Sequence, residues 1–268
     1  MDARLKSIVC GAAVAVACSS GFGPGRAARY LPLPGGSFRS VLPPDRQTAL
    51  SQVAPFAMRS TPVSNTEYRN FIVAHPNWQR GAATALFVGA DYLSQWTGVR
   101  EFVPLDAAAP VTQVSWFAAQ AFCESEQARL PRWIEWEFAA AADTQRADAR
   151  TDPLWLAQIL SWYATPANTQ PSAIGQHPAN FYGLHDLHGL MWEWVEDFNG
   201  LFVSADSREQ GSQKQLEFCG GAALTLSDRQ NYAVLMRLAL LAAMDANQAG
   251  RYLGFRCVRT ISQSGVTP

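Results

Sequence analysis

The chain is 268 residues long, 48% hydrophobic and 16% charged, with a formal net charge of -1. That length buries one good core without demanding a second domain, and so even a charge excludes an electrostatic footprint for nucleic acid or a basic stripe for anionic lipid. Nine tryptophans and fourteen phenylalanines predict a core filled by large rings, in which any one tryptophan is first of all a packing residue.

In chain order, a basic start at Met1–Lys6 leads into an apolar run from Ser7 to Ala17, with Ala15-Val16-Ala17 just before Cys18. The pattern predicts a secretory signal peptide and a glycine-rich tether over residues 1–27, with a run too short to span a bilayer and no transmembrane segment elsewhere. The mature product is then periplasmic or secreted. Cys18 after small residues also suits a lipoprotein, although Ala15 stands where leucine is more usual. Export leaves Cys123, Cys219 and Cys257 in an oxidising compartment, an odd number that predicts one unpaired thiol.

The folded domain is expected over residues 30–262. Pro34-Gly35-Gly36-Ser37-Phe38 and Ala54-Pro55-Phe56-Ala57-Met58 bracket short alternating segments that read as opening strands. Ser64 with Glu67 three residues on is a capping box; it starts a helix from Asn65 to about Ala74, with Tyr68, Phe71 and Ile72 facing inward. Residues His75 to Pro110 hold no period and read as a long surface loop anchored by Trp78, Phe87, Tyr92, Trp96 and Phe102. Ser115 precedes a second helix through Glu126, with Phe117, Ala121 and Phe122 as its packed face, and Pro131 opens a third over Arg132 to Ala142. Asn180 to Val195 is compact and aromatic, and Ser204 to Phe218 polar and loop-like. A few helices, many short strands and long loops predict an α+β domain rather than a doubly wound sheet.

Five blocks in order carry a family resemblance: Thr61-Pro62-Val63-Ser64-Asn65-Thr66-Glu67-Tyr68, Pro110-Val111-Thr112-Gln113-Val114-Ser115-Trp116, Arg129-Leu130-Pro131, the segment from Tyr182 to Trp194, and Leu253-Gly254-Phe255-Arg256-Cys257. Together, from Leu33 to Arg259, they resemble the formylglycine-generating enzyme family, also called the sulfatase-modifying factor family. The resemblance implies one irregular C-type-lectin-like domain, α+β, of low regular secondary structure. It also implies a structural disulfide between Cys123 and Cys257, which makes Cys219 the free thiol. Where the family has threonine and glutamate after Leu-Pro, Arg132 and Trp133 stand here, so a side-chain cap is lost and a weaker helix start is expected.

Formylglycine-generating enzymes hold copper(I) between two cysteines that follow an Arg-Gly-Gly-Ser-Trp block, and thiolates suit that soft cation. The corresponding stretch here, Cys219 to Ala233, contains neither cysteine; their positions fall near Thr225 and between Asn231 and Ala233. The resemblance therefore implies no formylglycine-generating activity. Gly220, Gly221, Asp228, Arg229, Tyr232 and Arg237 keep a polar and aromatic pattern able to line a pocket. It is similar to exported branches that mature the pyoverdine siderophore chromophore or accompany copper nitrite reductases.

Read as a pocket, Asp228, Tyr232 and Glu193 are the candidate catalytic residues, with Asp228 or Glu193 moving a proton. Arg229 and Arg237 are candidates for anchoring anionic substrate groups, Trp194 and Tyr232 for aromatic contact, and Thr225 for a further substrate contact. His177, His185 and His188 fall within twelve residues, with Asp186, Glu193, Glu196 and Asp197 close by. Imidazole and carboxylate can hold copper or iron, which makes His185 and His188, together with Cys219, the candidate metal ligands; local hydrogen bonding is the plainer reading. Calcium, which the resemblance implies near the Trp-Glu-Trp segment, lacks the usual asparagine because Leu190 replaces it, though Glu193 remains. Two functions are expected: an exported oxidative maturation enzyme acting on a peptide-derived or siderophore-like molecule, or a catalytically silent relative that binds an exported protein partner such as a copper nitrite reductase.

Overall fold

The computed structural model describes residues 28–42, 50–102, 105–164, 171–200 and 232–261. The signal and tether at 1–27 and the polar 204–218 stretch lie outside the described residues. Four short strands open the fold: β1 (Tyr30–Leu33), β2 (Gly36–Phe38), β3 (Ser51–Val53) and β4 (Phe56–Arg59). Gly35 turns β1 into β2 at φ +66, where a Cβ would lie 2.2 Å from the Val53 carbonyl oxygen. Only glycine fits there.

β1 pairs antiparallel with β4, and β4 with β7 (Val258–Thr260), giving a three-stranded sheet in the order β1-β4-β7. The two ends of the domain are thus zipped together. β2 and β3 form a separate antiparallel pair, while β5 (Trp192–Glu193) and β6 (Leu253–Gly254) pair in parallel.

Helix α1 (Asn65–Ala74) carries the expected capping box: Ser64 Oγ accepts the Glu67 amide and the Glu67 carboxylate accepts the Ser64 amide. Tyr68, Phe71 and Ile72 are buried as the periodicity predicts. The 76–110 segment is more than a surface loop. After a short 3-10 turn (Pro76–Trp78) its turns fold back on α1, burying Tyr92, Leu93, Trp96 and Phe102, and the Tyr92 hydroxyl bonds both the Tyr68 hydroxyl and the Trp78 carbonyl at 2.7 Å. Aperiodic sequence excluded a helix, yet rings that large bury more apolar area than a solvated loop leaves exposed.

Helix α2 (Trp116–Ser125) is capped by Ser115 Oγ, but it buries Ala118, Ala119, Phe122 and Cys123 rather than a Phe117–Ala121–Phe122 face. Phe117 packs at the rim against Phe87, ring centroids 5.1 Å apart. The disulfide lies on that buried face. Cys123 bonds Cys257, bridging α2 to the residue just before β7 across 134 residues, a loop long enough for closure to stabilise the fold by roughly 4–5 kcal/mol in the chain-entropy account. Around it, Tyr68, Phe71, Phe122 and Phe255 pack ring on ring.

Helix α3 (Trp133–Ala140) begins two residues after Pro131, and the cap expected to be lost is supplied differently. Glu135 accepts the Arg132 amide and Asp197, 64 residues away, accepts the Trp133 amide, both at 2.8 Å. Two further helices, α4 (Pro153–Ala164) and α5 (Tyr232–Ala242), pack against each other. No helix among the described residues is long and apolar enough to cross a membrane.

Candidate functional site

The Trp-Glu-Trp and Leu-Gly-Phe-Arg-Cys blocks meet through the β5–β6 pairing. Gly254 sits so close that a Cβ would lie 2.3 Å from the Val111 carbonyl oxygen and 2.6 Å from Met191 Sδ. This approach lets Arg256 Nε reach both Glu193 oxygens at 3.0 Å while its Nη2 donates to Glu193 Oε1 and to the His185 carbonyl, each at 2.8 Å. Trp136 Nε1 donates to Glu193 Oε2 at 2.9 Å. From α5, Arg237 donates to the Glu193 carbonyl and stacks its guanidinium 3.5 Å above the centre of the Trp136 ring.

Glu193, Arg237 and Arg256 are each 0% exposed. Burial pulls the Arg237 guanidinium down to about 10, and its Nε and Nη1 find no hydrogen-bond partner. These observations correct three expected roles. Glu193 is not a proton-transfer group on a pocket wall, because its carboxylate is saturated by Arg256 and Trp136. Arg237 is not a surface anchor for anions, because it is sealed against Trp136. Trp194 is fully buried with Nε1 donating to the Val114 carbonyl at 2.9 Å, so it packs the core. Desolvation in each case turns a chemically attractive side chain into a framework element.

The histidines disperse as well. His188 is buried; its Nε2 donates to the Ala140 carbonyl at 2.8 Å and its Nδ1 faces the Tyr163 hydroxyl at 3.4 Å. Burial pulls it down to about 4, so it is neutral at physiological pH with both nitrogens occupied. His185 turns Nδ1 to the His177 carbonyl at 2.9 Å. Among the described residues no three His, Cys, Asp or Glu side chains converge on a metal position, and His185 and His188 do not share one. Cys123 and Cys257 are spent in the disulfide, so the described residues do not fit copper or iron. Glu193, held by Arg256, is not available to calcium either. Cys219, Thr225, Asp228 and Arg229 lie outside the described residues; Tyr232 opens α5, with its side chain also outside them.

One cleft, of about 330 Å³, opens between α4 and the turns at 142–146 and 177–188. Asp152 Oδ1 caps α4 by accepting the Leu154 amide at 2.8 Å, and Trp155, Gln158 and Trp162 follow on one face of that helix, toward the cleft. Arg146 is shared between Asp143 and Asp152. Opposite, His177 leans on the buried Asp186, Nδ1 to Oδ1 3.3 Å, while Asp186 Oδ2 accepts the Gly175 amide at 2.6 Å. Gly189, at φ +86, holds the Trp162 wall: a Cβ there would meet that indole at 2.8 Å.

Sequence reasoning passed over this cleft. The usable signal was the i, i+3, i+7 spacing of Trp155, Gln158 and Trp162 after a capping aspartate.

A family model for the sulfatase-modifying factor enzyme 1-like domain matches residues 23–261. Hercynine oxygenase of Mycolicibacterium smegmatis is 29% identical over 199 residues, covering 64% of this chain and 46% of that protein. Inactive C-alpha-formylglycine-generating enzyme 2 of Mus musculus is 29% identical over 190 residues, covering 53% of this chain and 58% of that protein. The chain thus spans about half the length of these two relatives. Among solved structures, that of PvdO from Pseudomonas aeruginosa aligns with a TM-score of 0.48 at 15% identity, over 87% of this chain and 94% of that one.

Proposed function

The chain belongs to the sulfatase-modifying factor enzyme 1-like family, and we propose that it is an exported oxidative maturation enzyme acting on a peptide-derived or siderophore-like substrate, without formylglycine-generating activity. The observation that carries this reading is a contrast within one stretch. The Cys219–Ala233 segment lacks the cysteine pair that formylglycine formation needs. Yet it runs directly into α5, and Arg237 of α5 is locked onto Trp136 and Glu193. α5 itself is therefore held in place at Arg237, a fixed element on which a site can be built.

Similarity to an oxygenase points the chemistry toward oxidation. The substrate gives up two electrons and two protons, and dioxygen takes both and leaves as hydrogen peroxide. Asp228 or Tyr232 receives a substrate proton, Arg229 holds an anionic group and Thr225 adds a polar contact. Glu193 and Arg237 hold α5 to the core and do not touch the substrate. A strain lacking the protein should accumulate an exported precursor about two mass units heavier than the mature product, and the intact gene should clear it. Full rescue by both Asp228→Asn and Tyr232→Phe would overturn the assignment.

Similarity to an inactive formylglycine-generating enzyme relative favours one second reading: a catalytically silent protein that assists maturation of an exported copper enzyme such as nitrite reductase. Its signature is loss of that enzyme's activity in the deletion strain with no accumulated small precursor.

A further inference from the structure

We propose that the cleft beside α4 is a separate ligand site, built for a small planar cation of aromatic or amidinium type. The proposal goes beyond the oxidative reading and does not depend on it, since none of the residues assigned to that reaction lines the cleft. A volume of about 330 Å³ lies at the small end of ligand pockets, enough for one ring and a polar head. The two indoles of Trp155 and Trp162 supply flat, electron-rich walls that attract a cation over their faces.

Charge points the same way. Asp143, Asp152 and Asp186 line the cleft with the single guanidinium of Arg146; Asp186 is taken by His177 and the Gly175 amide, which leaves two carboxylates, Asp143 and Asp152, against one fixed cation. Asp143 and Asp152 share that one guanidinium, and both keep some exposure toward solvent, 13% and 23% of the side chain. An incoming cation completes the pairing that Arg146 alone divides. The walls are also held in place. Trp155 packs edge-on against the buried His188, centroids 5.7 Å apart, and Trp162 rests against Gly189, where no side chain fits. Such fixed walls lower the ordering cost of binding.

Benzamidine, benzamide and benzoate are the probes, because they share one ring and differ in charge. Titrated against the full mature chain and followed by ligand-detected NMR, benzamidine should bind at least tenfold tighter than neutral benzamide, and benzoate should not bind. Asp152→Asn keeps an equally good helix cap but removes one charge, and should weaken benzamidine at least threefold while leaving benzamide unchanged. Gln158→Trp alters an exposed position on the cleft face of α4 and should block benzamidine with no loss of thermal stability. Equal binding of the three probes, or benzamidine binding untouched by both variants, overturns the proposal. Since the readout is binding alone, failure here leaves the oxidative reading standing, and loss of oxidation leaves this site standing.

Discussion

The buried knot at Glu193 and the open cleft at Asp152 are made from the same kinds of side chain. Each has tryptophan rings, carboxylate and arginine. In the knot, Arg256 and Arg237 close on one carboxylate beneath Trp136, all at 0% exposure; in the cleft, two carboxylates divide an arginine that is 51% exposed. The difference is solvent. A buried charge must find its partners inside the protein and is then locked by them, whereas a charge at a cleft mouth stays hydrated and free to exchange partners.

Breaking the knot should give the largest effect. Glu193→Gln leaves two buried guanidiniums without their carboxylate and should destabilise the fold by roughly 3–5 kcal/mol, read from urea unfolding; a loss below about 1 kcal/mol would remove the knot from the framework. Next comes His188, beside both regions. Its folded pKa of about 4 lies below the ordinary 6.5, so between those values the unfolded chain binds a proton that the folded chain refuses. Its contribution is complete above pH 6.5 and is lost as pH falls toward 4, by about 3 kcal/mol. Glu137, buried and raised to about 7, acts in the opposite sense between its ordinary value and 7. The readout is therefore wild type minus His188→Gln, whose amide can still donate to Ala140. If that difference does not change with pH, His188 is not the buried neutral group described here.

Gly189→Ala puts a methyl at positive φ against Trp162. It should cost about 1–2 kcal/mol and weaken benzamidine in the cleft, while the knot, monitored through Arg256-dependent stability, stays intact. Asp152→Asn should be the mildest in unfolding experiments, within about 0.5 kcal/mol of wild type. A large loss there would show that the cleft carboxylates are as structural as those of the knot.

Some of this was legible before any coordinates. The Ser64–Glu67 box announces α1, because both bonding groups lie within one turn of the chain. Family resemblance points to Cys123 and Cys257 as partners. α4 and α5 were not anticipated: their runs, PLWLAQILSWYA and YAVLMRLALLA, are apolar on nearly every side, so no stripe separates helix from other buried structure. At the α3 start Arg132 makes no side-chain cap bond, as its residue type implies; the acceptor that replaces it, Asp197, lies 64 positions away and leaves no local signal. The roles first given to Glu193, Trp194 and Arg237 failed for a related reason, since residue type announces chemistry but not burial.

By itself the sequence determined what is local or chemically singular: helix caps, the glycine at the β1–β2 turn, the cysteines able to pair, the missing copper thiols and the five blocks that mark the family. Only the tertiary structure decided which carboxylate would be sealed and which would face a cleft. Glu193 lies 63 residues from Arg256 and 57 from Trp136, and whether water reaches it depends on how those distant segments pack. Dehydration is a property of the assembled neighbourhood, and it separates a buried strut from a binding wall built of the same residues.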